Sequence, residues 1–287
     1  MIKYTQYKKL DPKYISSKIK LFLEEDIPEG DKTTESVPSL NKTITAEIQA
    51  VEALFFSGKQ VLPFCFDDET VVNIFVNDGE EVLAGETIGQ ITGNSASILS
   101  RERVMLNLIQ RMCGIASQAK AFSELAKPYG VKILDTRKTT PGLRLFEKYA
   151  VTCGGAYNHR LNLSEGVLIK DNHLQAAGSV KQAVEGIRKL NPLLLIELEA
   201  DNQSQIKEGL RAGVEGFLLD NMHPKQIKEC VQIIRSFQGG KNIFIEASGG
   251  INMKNIHGYL QTEINAISIG ALTHQIKSKD IRLEFLS

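Results

Sequence analysis

Val131-Lys132-Ile133-Leu134-Asp135-Thr136-Arg137-Lys138 is a short apolar run that ends abruptly in an acid, a hydroxyl and two cations. The same grammar recurs down the rest of the chain. Val167–Ile169 runs into Lys170-Asp171-Asn172-His173, Leu193–Leu198 into Glu199, and Gly216–Leu219 into Asp220-Asn221. Ile243–Ile245 runs into Glu246-Ala247-Ser248-Gly249-Gly250, and Ala266–Ile269 ends in Gly270, with Thr273 and His274 just beyond. Between these runs lie stretches at helical spacing: Pro141–Val151, Val180–Leu190, Asn202–Ala212, Pro224–Phe237 and Lys254–Leu260. Short β runs alternating with amphipathic helices make parallel βα units. On topology alone, six such strands suit a barrel and a doubly wound sheet equally. A flat sheet gathers ligands only at its switch point, whereas a barrel uses the carboxyl ends of all its strands. Here nearly every strand end is polar or charged. The pattern gives an α/β fold whose core is an incomplete α/β barrel of six to seven parallel strands.

The first third of the chain reads differently. Asp11 and Pro12 open a helix with Ile15, Ile19, Phe22 and Leu23 on one face. Strand-like pieces follow at Thr43–Ala53, Val71–Val76, Val82 and Ile88–Ile91, punctuated by Asp78-Gly79 and Gly93. The stretch from Val76 to Gly93 has the turn-strand-turn pattern of lipoyl or biotinyl carrier modules but no modifiable lysine at its turn, so it reads as a structural β module. Ser100 is expected to cap a helix running to Cys113, broken at Gly114, with a second helix from Ile115 to Lys127. The expected domains are an N-terminal unit with a helix and a β-rich module over 1–114, to which 275–287 returns, and a barrel over 115–274.

The totals narrow the function. Among 287 residues, 34 basic and 34 acidic side chains give a formal net charge of +0, which argues against a nucleic acid or an anionic membrane as the main partner. No apolar run is long enough to span a bilayer, and the segment Met1 to Asp11 has no apolar core of signal-peptide length. Cys65, Cys113, Cys153 and Cys230 are scattered, without a CxxC pair, and read as reduced thiols in a cytoplasmic protein. Any anion site must come from local arrangement of cations.

Several strand ends could supply one. Arg137 and Lys138 leave a strand between threonines, and Thr140-Pro141 is expected to open a helix whose first amides could meet an anion; a solvated basic loop is the plain alternative. His159 and Arg160 add donors after Gly154-Gly155, glycines that could equally just end a helix. Lys170, directly after an apolar strand, needs an anionic substrate or a carboxylate neighbour, because a buried unpaired ammonium is costly. Glu197 and Glu199 are two apart and share a strand face. With Asp220 they could hold Mg²⁺ beside a phosphate, or they could pair with Lys170 and Arg160; both readings stand. Ser248-Gly249-Gly250 and Gly270-Ala271 follow the last two strands, where barrels often bind phosphate through backbone amides. Arg103, Asn107 and Arg111 form a polar stripe at helical spacing, which also suits an ordinary surface.

Taken together, these motifs resemble the quinolinate phosphoribosyltransferase family. The matching text is Asp135-Thr136-Arg137-Lys138-Thr139-Thr140-Pro141-Gly142, Asn158-His159-Arg160, Ile169-Lys170-Asp171-Asn172-His173, Leu219-Asp220-Asn221, Glu246-Ala247-Ser248-Gly249-Gly250 and Ser268-Ile269-Gly270-Ala271, with Gly30-Asp31-Lys32-Thr33-Thr34 upstream. Ala156-Tyr157 departs from the family, many of whose members continue the glycine run. The resemblance implies an N-terminal α/β sandwich joined to an incomplete barrel. It also implies transfer of phosphoribosyl from phosphoribosyl pyrophosphate to quinolinate, giving nicotinate mononucleotide, pyrophosphate and CO₂ with Mg²⁺. It further implies that Arg137, His159 and Arg160 hold the quinolinate carboxylates, while Lys138 and Lys170 meet the substrates. Glu199 and Asp220 would steady the ribose and metal, and Ser248, Gly249, Gly250, Gly270 and His274 would line the phosphate site. Arg103 would enter the partner's site in a homodimer, or in a larger assembly built on dimers. Rival readings are a paralogous barrel enzyme with another substrate and a Schiff-base lyase using Lys170.

Overall fold

The computed structural model describes residues 2–286. The chain divides into two compact units, one of residues 7–121, 141–155 and 275–286, the other of residues 2–6, 122–140 and 156–274.

In the first unit, helix α1 (Pro12–Asp26) begins where Asp11 Oδ1 accepts the Lys13 N–H at 2.9 Å and Pro12 takes a position whose N–H would be unpaired anyway. Helix α2 (Lys32–Glu35) is capped by Asp31, which accepts from the Thr33 and Thr34 amides. Strands β1 (Thr43–Ala50), β3 (Val71–Ile74) and β5 (Thr87–Asn94) form an antiparallel sheet, and β2 (Leu54–Phe55) pairs with β4 (Glu81–Val82). The sheet is completed by β12 (Ile281–Phe285), which lies antiparallel to β1 in the order β12-β1-β5-β3. Ala46, Ile48 and Ala50 alternate inward along β1, as period-two patterning requires. Helix α3 (Ser95–Ala126), as far as residue 121, and helix α4 (Arg144–Cys153) complete this unit's main elements.

Three local expectations are corrected here. Helix α3 starts at Ser95 instead of after Ser100, because Asn94 Oδ1 accepts the Ala96 and Ser97 amides. Nor does the helix break at Gly114: it runs for 32 residues. A Cβ on Gly114 would lie 2.4 Å from the Lys277 carbonyl oxygen, so the glycine permits a close chain approach and ends nothing. Pro141 does not open a helix, because Gly142 adopts a left-handed φ of +83° and α4 begins only at Arg144.

The second unit carries six parallel strands: β6 (Lys132–Leu134), β7 (Val167–Ile169), β8 (Ile196–Ala200), β9 (Gly216–Asp220), β10 (Phe244–Ser248) and β11 (Ala266–Ser268). Their order is β6-β11-β10-β9-β8-β7. From β7 to β11 each strand steps to its neighbour in one direction, with no reversal of the kind that defines a doubly wound sheet. Beyond β6, Tyr157 makes a further parallel bridge to Leu134, its N–H donating to the Ile133 carbonyl at 2.8 Å. Helices α5 (Asp171–Ala177), α6 (Val180–Leu190), α7 (Gln203–Ala212), α8 (Pro224–Ser236), α9 (Ile256–Leu260) and α10 (Ala271–His274) punctuate the strands. Ser179 and Asn202 cap α6 and α7 by accepting the Gln182 and Gln205 amides. Ile196, Leu198, Phe217, Leu219, Ile245 and Ile267 are all fully buried, and burying each such side chain stabilises the fold by roughly 1.5–3 kcal/mol. Strand β8 starts at Ile196 instead of Leu193: Asn191 terminates α6, Leu194 N–H closes a turn onto its carbonyl, and Leu193 is left 92% exposed. Among the described residues no helix is long and apolar enough to cross a membrane.

Candidate active site

Because the six strands are parallel, their carboxyl ends share one rim. Arg137 and Lys138 follow β6, Lys170 follows β7, Glu199 lies near the end of β8, Asp220 ends β9, Ser248 ends β10 and Gly270 follows β11. The register sets Ser248 beside Asp220 and Glu199 beside Leu218.

Local contacts aim these groups. Asp135, wholly buried, accepts the Asn158 side-chain amide at 2.7 Å and the His159 N–H at 2.8 Å, tying the 158–160 segment to the end of β6. Gln6 brackets Asn158, accepting its N–H at 2.9 Å and donating to its carbonyl at 3.0 Å. Lys170 N–H donates to His173 Nδ1 at 2.9 Å, which explains a histidine three residues on, and Lys170 Nζ forms an ion pair with Glu199. Lys138 is anchored through its carbonyl, which accepts the Thr273 hydroxyl at 2.6 Å. A Cβ on Gly270 would meet Lys138 Cδ and His274 Nε2 at 3.0 Å each, so the two side chains converge on that glycine. Gly249 and Gly250 adopt φ of +93° and +62°, values that L side chains disfavour, and a Cβ on Gly249 would fall 2.7 Å from the Asn221 nitrogen.

Arg137 and Arg160 supply the positive field. Arg137 Nε is buried without a hydrogen-bond partner. Burial and, next, the charge of Arg137 lower the Arg160 guanidinium from its ordinary value, opposed by Tyr4, Glu197 and Glu199. The charge of Arg137 acting on Arg160, together with an orphaned N–H, makes the two guanidinium groups a candidate anion site.

Beneath the rim lies a cluster that the sequence did not single out as a unit. His159, Glu197 and Glu246 are buried, with His159 Nε2 3.7 Å from Glu197 Oε2 and 3.7 Å from Glu246 Oε2. Tyr4 stacks on the His159 ring at 4.2 Å and donates its hydroxyl to Glu197 Oε2 at 2.5 Å. Burial pushes the Glu197 carboxyl up to about 7, and burial followed by the neighbouring Glu197 pushes Glu246 well above the usual carboxylate range. Candidate ligand atoms of this trio lie within 4.8 Å of one another; among the described residues Glu199 and Asp220 join no such group of three. Of the other expected site residues, Arg103 is an exposed residue of α3 in the first unit, where Arg111 pairs with buried Glu147 at 2.7 Å.

Comparison with known proteins accords with this geometry. The family model "Quinolinate phosphoribosyl transferase, N-terminal domain" matches residues 31–113, and its C-terminal counterpart matches residues 115–284. A probable nicotinate-nucleotide pyrophosphorylase (carboxylating) of Bacillus subtilis is 39% identical over 92% of this chain and 90% of its own length. The solved nicotinate-nucleotide pyrophosphorylase of Francisella tularensis superposes with a TM-score of 0.92 at 32% identity, covering 99% of this chain and 100% of that one. That of Ehrlichia chaffeensis gives 0.90 at 36% identity, covering 97% and 100%.

Proposed function

Since the chain belongs to the quinolinate phosphoribosyltransferase family, we propose that its strand-end site transfers the phosphoribosyl group of phosphoribosyl pyrophosphate to the ring nitrogen of quinolinate, with loss of CO₂. The products are nicotinate mononucleotide and pyrophosphate, a step of NAD biosynthesis. The observation that carries this reading is the Arg137–Arg160 pair with its buried, unpartnered Nε. A substrate with two adjacent carboxylates supplies the missing counter-charge through charge-assisted hydrogen bonds.

The remaining residues divide the labour. Arg137 and Arg160 orient quinolinate so that its nitrogen faces the ribosyl carbon, and His159 shares in that grip through Arg160. Lys138 and His274, converging on Gly270, meet the phosphates, while the backbones of Ser248, Gly249, Gly250 and Gly270 let the 5-phosphate approach closely. Glu199 and Asp220 steady the ribose hydroxyls as positive charge develops at the ribosyl carbon. Lys170, already paired with Glu199, adds a cation beside the substrate carboxylate. Nitrogen attack expels pyrophosphate. The resulting pyridinium accepts the electron pair released as the adjacent carboxylate leaves as CO₂, and a proton then fills that ring position.

Two carboxylates at the ends of neighbouring strands are hard oxygen donors of the kind Mg²⁺ takes alongside water and phosphate. Glu199 and Asp220 fit that ion, which would neutralise charge on the departing pyrophosphate. Arg103, exposed on α3, is assigned to the site of a second copy in a homodimer. Four free cysteines, three of them buried, suit the reducing cytoplasm. The test is direct: purified protein with both substrates and Mg²⁺ should release pyrophosphate and CO₂ in equal amounts, and chelation of the cation should stop both. Pyrophosphate release independent of quinolinate would reject the assignment.

A further inference from the structure

Resting on that reading, we propose that Tyr4, Glu197 and Glu246 are positioning residues: they fix the His159 ring with its proton on Nε2, and through that ring they hold the backbone of Arg160 for anion binding. The Arg160 N–H donates to His159 Nδ1 at 2.8 Å, so Nδ1 presents a lone pair and the ring proton sits on Nε2. Nε2 lies 3.7 Å from an oxygen of each of two buried carboxyls. The ring face is covered by Tyr4, and the His159 backbone N–H is taken by Asp135. Ring face, ring edge and backbone are thus each restrained by a different element of the unit.

The same hydrogen bond argues against a metal at this trio. A histidine that ligates a metal donates its other ring N–H to an acceptor. Here the other nitrogen accepts, leaving Nε2 without a lone pair for an ion. Nor is the cluster explained as filler. Glu197 Oε1 meets no hydrogen-bond partner, although both carboxyl side chains are wholly buried. Apolar residues of similar volume would satisfy packing alone with less penalty. What the carboxyls do provide is a pair of oxygens facing Nε2 at 3.7 Å, close enough to favour a proton on that nitrogen electrostatically without a direct hydrogen bond. Tyr4 fixes the Glu197 carboxyl through its hydroxyl, and Gln6, two residues on, clasps Asn158 at both backbone atoms.

Two measurements test this, one of them independent of the reaction. In ¹⁵N-labelled protein, ring nitrogen correlations should show His159 protonated at Nε2 only, the signal being identified by its loss in His159→Gln; protonation at Nδ1 would overturn the proposal whatever the enzyme's substrate. In steady-state kinetics, Tyr4→Phe keeps the stacking and removes the hydroxyl. Its KM for quinolinate should rise about five- to tenfold, the effect of one lost hydrogen bond, with kcat and the KM for phosphoribosyl pyrophosphate nearly unchanged. Glu246→Met should raise the quinolinate KM similarly, and Glu246→Gln, which keeps a side-chain oxygen facing Nε2, should restore most of it. Equal loss in Gln and Met, or a fall in kcat alone, would overturn the positioning role. Should the wild-type protein ignore quinolinate, the functional reading fails while the ring-nitrogen result still decides the tautomer.

Discussion

Gly249 shows how one residue reports both fold and function. Its φ of +93° and the 2.7 Å approach of the Asn221 nitrogen to a notional Cβ mean that alanine cannot be inserted without moving the β9 or β10 loop. Such strain costs about 1–3 kcal/mol. Gly249→Ala should therefore raise the KM for phosphoribosyl pyrophosphate at least roughly tenfold and leave the dissociation constant of quinolinate little changed, as fluorescence titration would show. At this scale the rim residues were legible. Arg137, Lys138, Lys170, Asp220 and Gly249 stand at or just beyond the ends of apolar runs, and strand polarity turns that sequence position into a place. Tyr4 was not legible. It meets Glu197 across 193 residues from a polar segment with no periodic signal, so nothing local marks it. Glu246 was visible as a strand-end acid, but its inward partner His159 comes from a segment with no strand pattern of its own.

Elements were read well where periodicity was strong and poorly where a glycine or an apolar run had a second explanation. Helix α6 has its expected limits, and β7 does too. Gly114 reads as a break in the sequence, yet glycine disfavours a helix interior by only about 1 kcal/mol, a local preference that tertiary packing easily overrides. The reason for that glycine lies at Lys277, far along the chain. Gly114→Ala should then behave oppositely to an ordinary helix substitution. Alanine normally stabilises a helix, whereas here a Cβ 2.4 Å from the Lys277 carbonyl should destabilise the protein by about 1–3 kcal/mol. Urea unfolding would read the loss as a lower midpoint with an unchanged m-value. A gain in stability would mean that the 277–278 segment moves aside freely. The Leu193-Leu194-Leu195 run misled in the other direction, since hydrophobicity alone does not separate a turn after a helix from the start of a strand.

For the whole molecule, zero net charge and a cationic site are reconciled by burial. Cations gather at one strand rim, while acids such as Asp135, Glu197 and Glu246 sit beneath it. The assembly is a separate matter. Arg103 is exposed on α3, and its assignment to a second copy's site makes a specific demand. Arg103→Ala and Lys138→Ala should each be inactive alone, but mixed under conditions of subunit exchange they should regain part of the activity, because one site of the mixed dimer keeps both residues. Exchange without recovery would place Arg103 in its own subunit's site or in a structural role.

The guanidinium groups of Arg137, beyond β6, and Arg160, on the 158–160 segment, call for a substrate with two carboxylates. The most direct measurement is kcat/KM for quinolinate and for nicotinate on the same preparation at saturating phosphoribosyl pyrophosphate. Nicotinate leaves one carboxylate position empty and a buried cation unpaired, a penalty of at least about 3 kcal/mol when a charged partner is removed. Quinolinate should be preferred by at least roughly a hundredfold. Comparable turnover of the two acids would contradict it.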